Sequence, residues 1–186
     1  MTAELASHGF YAAAEGQAFP PIGIPLIVAF VLMALFLVSS PSLRTLLTDQ
    51  KDLIRINVWR LEGVIFLLLA LAGQVPLLWA LPAGLGDISV GATAFWVASR
   101  LDAPGGKRRA VAFNLLGLLD LVVAVGLGIA TSPGPAQLIH TVPTSELLAR
   151  FPMALVPTFL VPLAVAVHIV SLWQLSRGSW APSANA

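Results

Sequence analysis

Six side chains placed in otherwise apolar surroundings carry the chemistry available to this chain: Asp120, His168, Asp87, Asn114, Arg60 and Glu62. Asp120 sits at the centre of "NLLGLLDLVVAVGLG", a stretch of Leu, Val, Ala and Gly. A carboxylate there has two physical responses, pairing or protonation. Both are the working material of proton and cation paths, in which Asp and His relay charge across an apolar medium. The same pair could serve as polar glue, one hydrogen-bonded contact that fixes helix register.

What surrounds these residues identifies the medium. The chain has 186 residues, of which 58% are hydrophobic and only 10% charged, against roughly 25% charged in ordinary soluble domains. The mean hydropathy is +0.89. One small soluble core cannot hide so much apolar surface, and the lipid bilayer is the expected partner. A net charge of +1 argues against a nucleic-acid footprint, which would need a clustered basic face, so nucleic acid is not an expected partner. The absence of Cys excludes disulfides and thiolate chemistry. His8, His140 and His168 are scattered without ligand spacing, and neither a metal nor another cofactor is expected.

Five apolar runs are read as membrane spans: residues 22–40, 56–81, 85–100, 110–131 and 151–176. The third is close to the lower length limit of about 17 residues. Residues 1–20 have no basic stretch before the first apolar run, so they are read as a short external segment of the mature chain and not as a signal peptide. Arg44, Lys51, Arg55 and Arg60 fall between or just inside the first two spans, Arg100, Lys107, Arg108 and Arg109 between the third and fourth, and Arg177 after the fifth. Arg150 alone falls on the other side. The positive-inside rule then puts the N-terminus outside and the C-terminus inside. The expected fold is an all-α membrane protein of one domain, in a bacterial inner membrane, with spans two to five as its core and span one facing lipid. The small size and lack of an internal repeat point to a homo-oligomer or a partner membrane subunit.

Helical spacing gathers the polar residues onto faces. Asn114, Gly117, Asp120, Ala124, Gly128 and Thr131 step by three or four, which makes one stripe. Asp87, Gly91, Ala94 and Ala98 repeat the device, as do Arg60, Gly63, Ala70 and Gln74, and Ala164, His168 and Ser171. Gly91, Gly117 and Gly128 are read as close-packing positions. Asp120 and His168 lie at depths about 6 Å apart at helical rise. The expectation is a polar ladder running from Asp87 at the outer mouth, through Asp120 and His168, to Asn114 and Arg60 at the inner side. Arg60 and Glu62, two residues apart, point to opposite sides of their helix. Pro162 is expected to free the carbonyl of Thr158 and kink the fifth span. The Trp residues mostly fall near span ends and are read as interfacial anchors.

"GLGD", residues 84–87, resembles the GxGD signature of intramembrane aspartyl proteases. The resemblance implies that Asp87 is a catalytic aspartate and Asp120 its candidate partner, two carboxylates holding one proton between them. In that family the other aspartate comes earlier in the chain, whereas Asp120 follows Asp87. The favoured reading of the same residues is a turn, "LPAGLGD", with Asp87 capping the third span. The leading functional expectation is a transport or permeation module for a proton, cation or small solute. An accessory or scaffold subunit is the alternative, and a protease using Asp87 and Asp120 the second alternative.

Overall fold

The computed structural model describes residues 23–39 and 49–177, and every regular element among them is helical. Helix α1 spans Gly23–Ser39. A second helical run begins as α2, Gln50–Arg55, capped by the Asp49 carboxylate, which accepts from Lys51 N at 2.7 Å. It tightens into a 3₁₀ segment at Ile56–Glu62 and relaxes into α3, Gly63–Leu71. Helices α4, Leu77–Ser99, and α5, Gly106–Thr131, follow. The loop after α5 contains a 3₁₀ turn at Ser145–Ala149, and a π-helical turn at Val156–Leu160 leads into α6, Val161–Arg177.

Among the described residues, three helical stretches are long and apolar enough to cross a membrane: Leu77–Ser99, Gly106–Thr131 and Val156–Arg177. A 23-residue helix rises about 35 Å, enough for a hydrocarbon core of about 30 Å. The outward faces are apolar. On α5, Leu115, Leu116, Leu119 and Val122 are all exposed, while Asn114 and Thr131 are buried. Apolar outside and polar inside is the arrangement that lipid selects. Helix α1 packs on the π-helical turn and α6 and leaves Ile27, Val31, Leu32 and Leu35 exposed.

The chain reverses elsewhere than the composition suggests. The turn expected at "LPAGLGD" is helical, and the reversal lies at residues 72–76, where Gly73 takes φ 67° and Pro76 an extended conformation as the N-cap of α4. Gly73 supplies the left-handed residue that a side chain would resist. Pro82 falls in the second turn of α4, where only one helical hydrogen bond is forfeited. The stretch expected to be short is therefore a full-length helix, and Asp87 sits near its middle and not at its start.

At the second reversal Gly105 takes φ 76° as the N-cap of α5, and Arg109 braces the turn through Pro104 O and Arg100 O. Lys51 pairs with Asp102 at 2.5 Å, which joins the start of α2 to this turn. Gln50 meets Ser171 of α6. Lys51, Arg55, Lys107, Arg108 and Arg177 thus gather at one end of the bundle, the basic end. At the opposite, loop end, Ser145 is fully buried and its hydroxyl donates to Gly128 O at 2.6 Å.

Two apolar clusters sit at different depths. Ile54, Ala94, Ala98, Ala110, Phe113 and Leu175 pack toward the basic end. Phe66, Val75, Trp79 and Ala83 pack with Leu147, Leu148 and Met153 toward the loop end. Trp79 is core, 2% exposed, its indole N–H donating to Ala124 O at 3.0 Å; Trp96 and Trp173 are half exposed, as interfacial anchors would be.

Candidate functional site

Between the two clusters lies a polar hub centred on Arg60. The 3₁₀ segment places it there. With three residues per turn, positions three apart eclipse one another, and Asn57, Arg60, Gly63 and Phe66 are all buried on one face. Asn57 helps hold the start of this segment, its amide donating to Leu53 O and Ile54 O.

Close approach to α4 requires the absence of side chains. A Cβ on Gly63 would lie 2.6 Å from Gly84 O, and one on Gly91 would lie 2.8 Å from Leu61 N. The glycines of "GLGD" are therefore accounted for by packing: Gly84 admits the 3₁₀–α3 run, and Gly86 admits the Asp120 carboxylate, onto which its Cβ would fall.

Arg60 has no solvent exposure, and its three nitrogens reach three helices. Nε–H donates to Asp87 Oδ1 on α4 at 2.5 Å. Nη2 donates to Asp120 Oδ2 on α5. Nη1 lies 3.0 Å from His168 Nε2 on α6. A guanidinium has no acceptor, so Nε2 must accept and the imidazole proton resides on Nδ1. Nδ1 in turn meets Asn114 Oδ1 at 2.9 Å, which fixes the Asn114 amide with its nitrogen toward Ala110 O and Ser171 Oγ, both at 2.8 Å. Ser171 Oγ also accepts from Gln50 Nε2 at 2.5 Å. One hydrogen-bonded chain thus runs from the two aspartates through Arg60, His168, Asn114 and Ser171 to Gln50.

The order differs from the expected ladder. Arg60 is not at its inner end but at mid-depth, between Asp120 and His168, which each contact the guanidinium and not one another. Asp87 joins the same hub instead of standing apart at an outer mouth. The reason is the reversal at residues 72–76: shifting it toward the N-terminus by several residues slides Asp87 into the middle of α4, level with Arg60. Glu62 is half-buried and makes no hydrogen bond or ion pair among the described residues, yet lies within electrostatic range of Asp87 and Arg60. Gly117 abuts the His168 ring, and Gly128 contributes its carbonyl to Ser145. Gln74 is exposed in the turn. Gln50 joins the network although it precedes the expected second span, and no periodicity marks it.

The α6 entry also departs from a simple Pro kink. Ahead of Pro162 the backbone widens into a π-helical turn, in which Val161 N bonds to Val156 O, and the Thr158 hydroxyl donates to Ala154 O at 2.5 Å.

The charge count of the hub constrains its chemistry. One guanidinium faces two carboxylates at low dielectric, with a third, Glu62, nearby. If both aspartates are ionised the cluster is negative, and a proton or a small cation is what balances it.

No curated protein and no solved structure matches the chain. A family model described as "Domain of unknown function (DUF8737)" matches residues 19–176, most of the sequence, and this chain belongs to that family.

Proposed function

We propose that this chain is a small membrane transport or permeation module for a proton or a small cation, with Asp87 and Asp120 as the binding carboxylates. The observation that carries the reading is the shared guanidinium: one buried Arg60 holds two aspartates. Uptake of one proton or cation neutralises the excess charge. It also competes for the ion pairs that join the 3₁₀ segment, α4 and α5. Occupancy and helix packing are therefore linked, which is the requirement for a transport cycle.

The topology proposed is five crossings, N-terminus outside, in a bacterial inner membrane. The clustering of Lys51, Arg55, Lys107, Arg108 and Arg177 at one end supports it. So does the helical run from Gln50 to Leu71, which packs along α4. The working unit is proposed to be a homo-oligomer or a complex with a partner subunit.

The test is proton and small-cation flux in proteoliposomes, comparing the natural chain with Asp120→Asn at matched folded amounts. Flux in the natural chain that disappears in the variant supports the reading; no flux from either overturns it. One observation favours the accessory-subunit alternative: each of the three Arg60 nitrogens is partnered, as is the imidazole of His168. On that reading Asp120→Asn lowers stability and there is no flux to lose. The proton-sharing protease dyad draws less support, because Arg60 supplies a counter-charge to both aspartates.

A further inference from the structure

The two sides of the hub are unlike. Toward the loop end Phe66, Trp79 and Ala83 pack with Leu147 and Met153 into an apolar plug. Toward the basic end hydrogen bonding continues through His168, Asn114 and Ser171 to Gln50. That chain stops at Gln50 Oε1, which belongs to a residue 3% exposed and has no hydrogen-bond partner. Asn57 Oδ1, in a residue 1% exposed, is in the same condition.

The two oxygens come from positions seven apart on one helical run, hence from one face two turns apart. Neither is an artefact of amide orientation. Asn57 cannot be turned over, since its Nδ2 donates to two backbone carbonyls. Turning Gln50 over exchanges an unpartnered acceptor for an unpartnered donor. Buried polar atoms find a partner in protein or in ordered water, and an internal water needs two to four polar neighbours. Beside Gln50 Oε1 the Ser171 hydroxyl, an acceptor in both of its bonds, retains its proton to donate, so a water there has two partners. Asn57 Oδ1, about 10 Å further along the run at helical rise, requires a water of its own.

We propose that Gln50 with Ser171, and Asn57 two turns deeper on the same face, hold separate waters, and that through them the hub communicates with water from the basic end alone. The hydration stands on geometry; its use as the route for a transported proton or cation rests on the transport reading above.

The chain contains no Cys, so single cysteines report directly. Asn57→Cys and Ser171→Cys, the latter nearly isosteric, are treated in membrane vesicles with a small membrane-impermeant thiol reagent from each side. The side of the basic end is defined by protease access to Lys107 and Arg108. Ala83→Cys in the apolar plug is the control. Labelling of Asn57→Cys or Ser171→Cys from the basic side only, with Ala83→Cys unreactive, is expected. Protection of both from that side, or reaction from the loop side, overturns the proposal.

Hydroxyl-radical footprinting of the natural chain removes dependence on variant folding. Leu53 and Ile54, 2% and 0% exposed between the two orphan oxygens, are expected to be less protected, each relative to its intrinsic reactivity, than Phe66, 4% exposed. Equal protection of all three overturns the water sites. Neither readout uses flux, so a hydrated site in a protein without flux removes the transport reading alone. Flux through a chain dry at these positions removes the water sites alone.

Discussion

A methyl group on Gly117 would lie well inside van der Waals distance of His168 Nε2, the imidazole atom that faces Arg60. Helices α5 and α6 therefore close on one another only because residue 117 has no side chain. Gly117→Ala is expected to force the ring away and cost about 1–3 kcal/mol, the usual range for overpacking a well-filled interior. Thermal unfolding in detergent reads the loss. Paired with His168→Ala, the same substitution is expected to cost almost nothing, because the ring it strikes is gone. An additive pair of effects would show that the contact does not set the packing.

Much of this arrangement can be read from residue spacing. The stripe from Asn114 to Thr131 and the stripe from Asp87 to Ala98 face inward as their helical period requires. Period alone does not say at what depth one stripe meets another. Arg60 was legible as an inward residue but not as the hub, because depth depends on where the chain turns. The turn itself was obscured by composition: Pro82, Gly84 and Gly86 look like a reversal, yet the glycines serve helix contact with Gly63 and Asp120. The true turn carries weaker signals, a Gly-Gln pair and Pro76. Gln50 was hidden for another reason, since its partner Ser171 is 121 residues away and no local pattern encodes that pairing.

Removing the guanidinium is expected to be worse than removing either carboxylate. Arg60→Met leaves the buried Asp87 and the part-buried Asp120 without counter-charge. Breaking a fully buried pair from one side costs about 3–5 kcal/mol, the upper end of the loss expected here. Replacing all three charges together, as Arg60→Met, Asp87→Asn and Asp120→Asn, is expected to recover most of that loss, since no unpaired charge remains. The measurement is again unfolding in detergent. A triple variant as unstable as Arg60→Met alone would mean that the guanidinium acts through shape and not charge.

His168 is expected to carry its proton on Nδ1, because Nε2 accepts from Arg60 and Nδ1 faces the Asn114 carbonyl. Nitrogen NMR of the chain labelled at histidine separates the two tautomers by chemical shift, and the chain has three histidines to assign. Asn114→Leu removes the acceptor and is expected to loosen this preference. A natural chain with its proton on Nε2 would invert the polarity of the hydrogen-bonded chain and require Arg60 Nη1 to turn elsewhere.

Gly86 and Gly126 give a matched comparison on neighbouring helices. A Cβ on Gly86 would strike the Asp120 carboxylate, whereas a Cβ on Gly126 meets nothing within 4 Å. Gly126→Ala should therefore show only the intrinsic helix preference, a gain of about 0.5–1 kcal/mol. Gly86→Ala carries the same preference but must also push the carboxylate off Arg60 Nη2. It is expected to lower the unfolding temperature and abolish any flux that depends on Asp120, while Gly126→Ala keeps both. Because the substitutions are chemically identical, general effects of an added methyl cancel between them. The difference that remains measures how closely the function depends on where the Asp120 carboxylate is held. Equal behaviour of the two variants would mean that Asp120 can leave Arg60 without consequence.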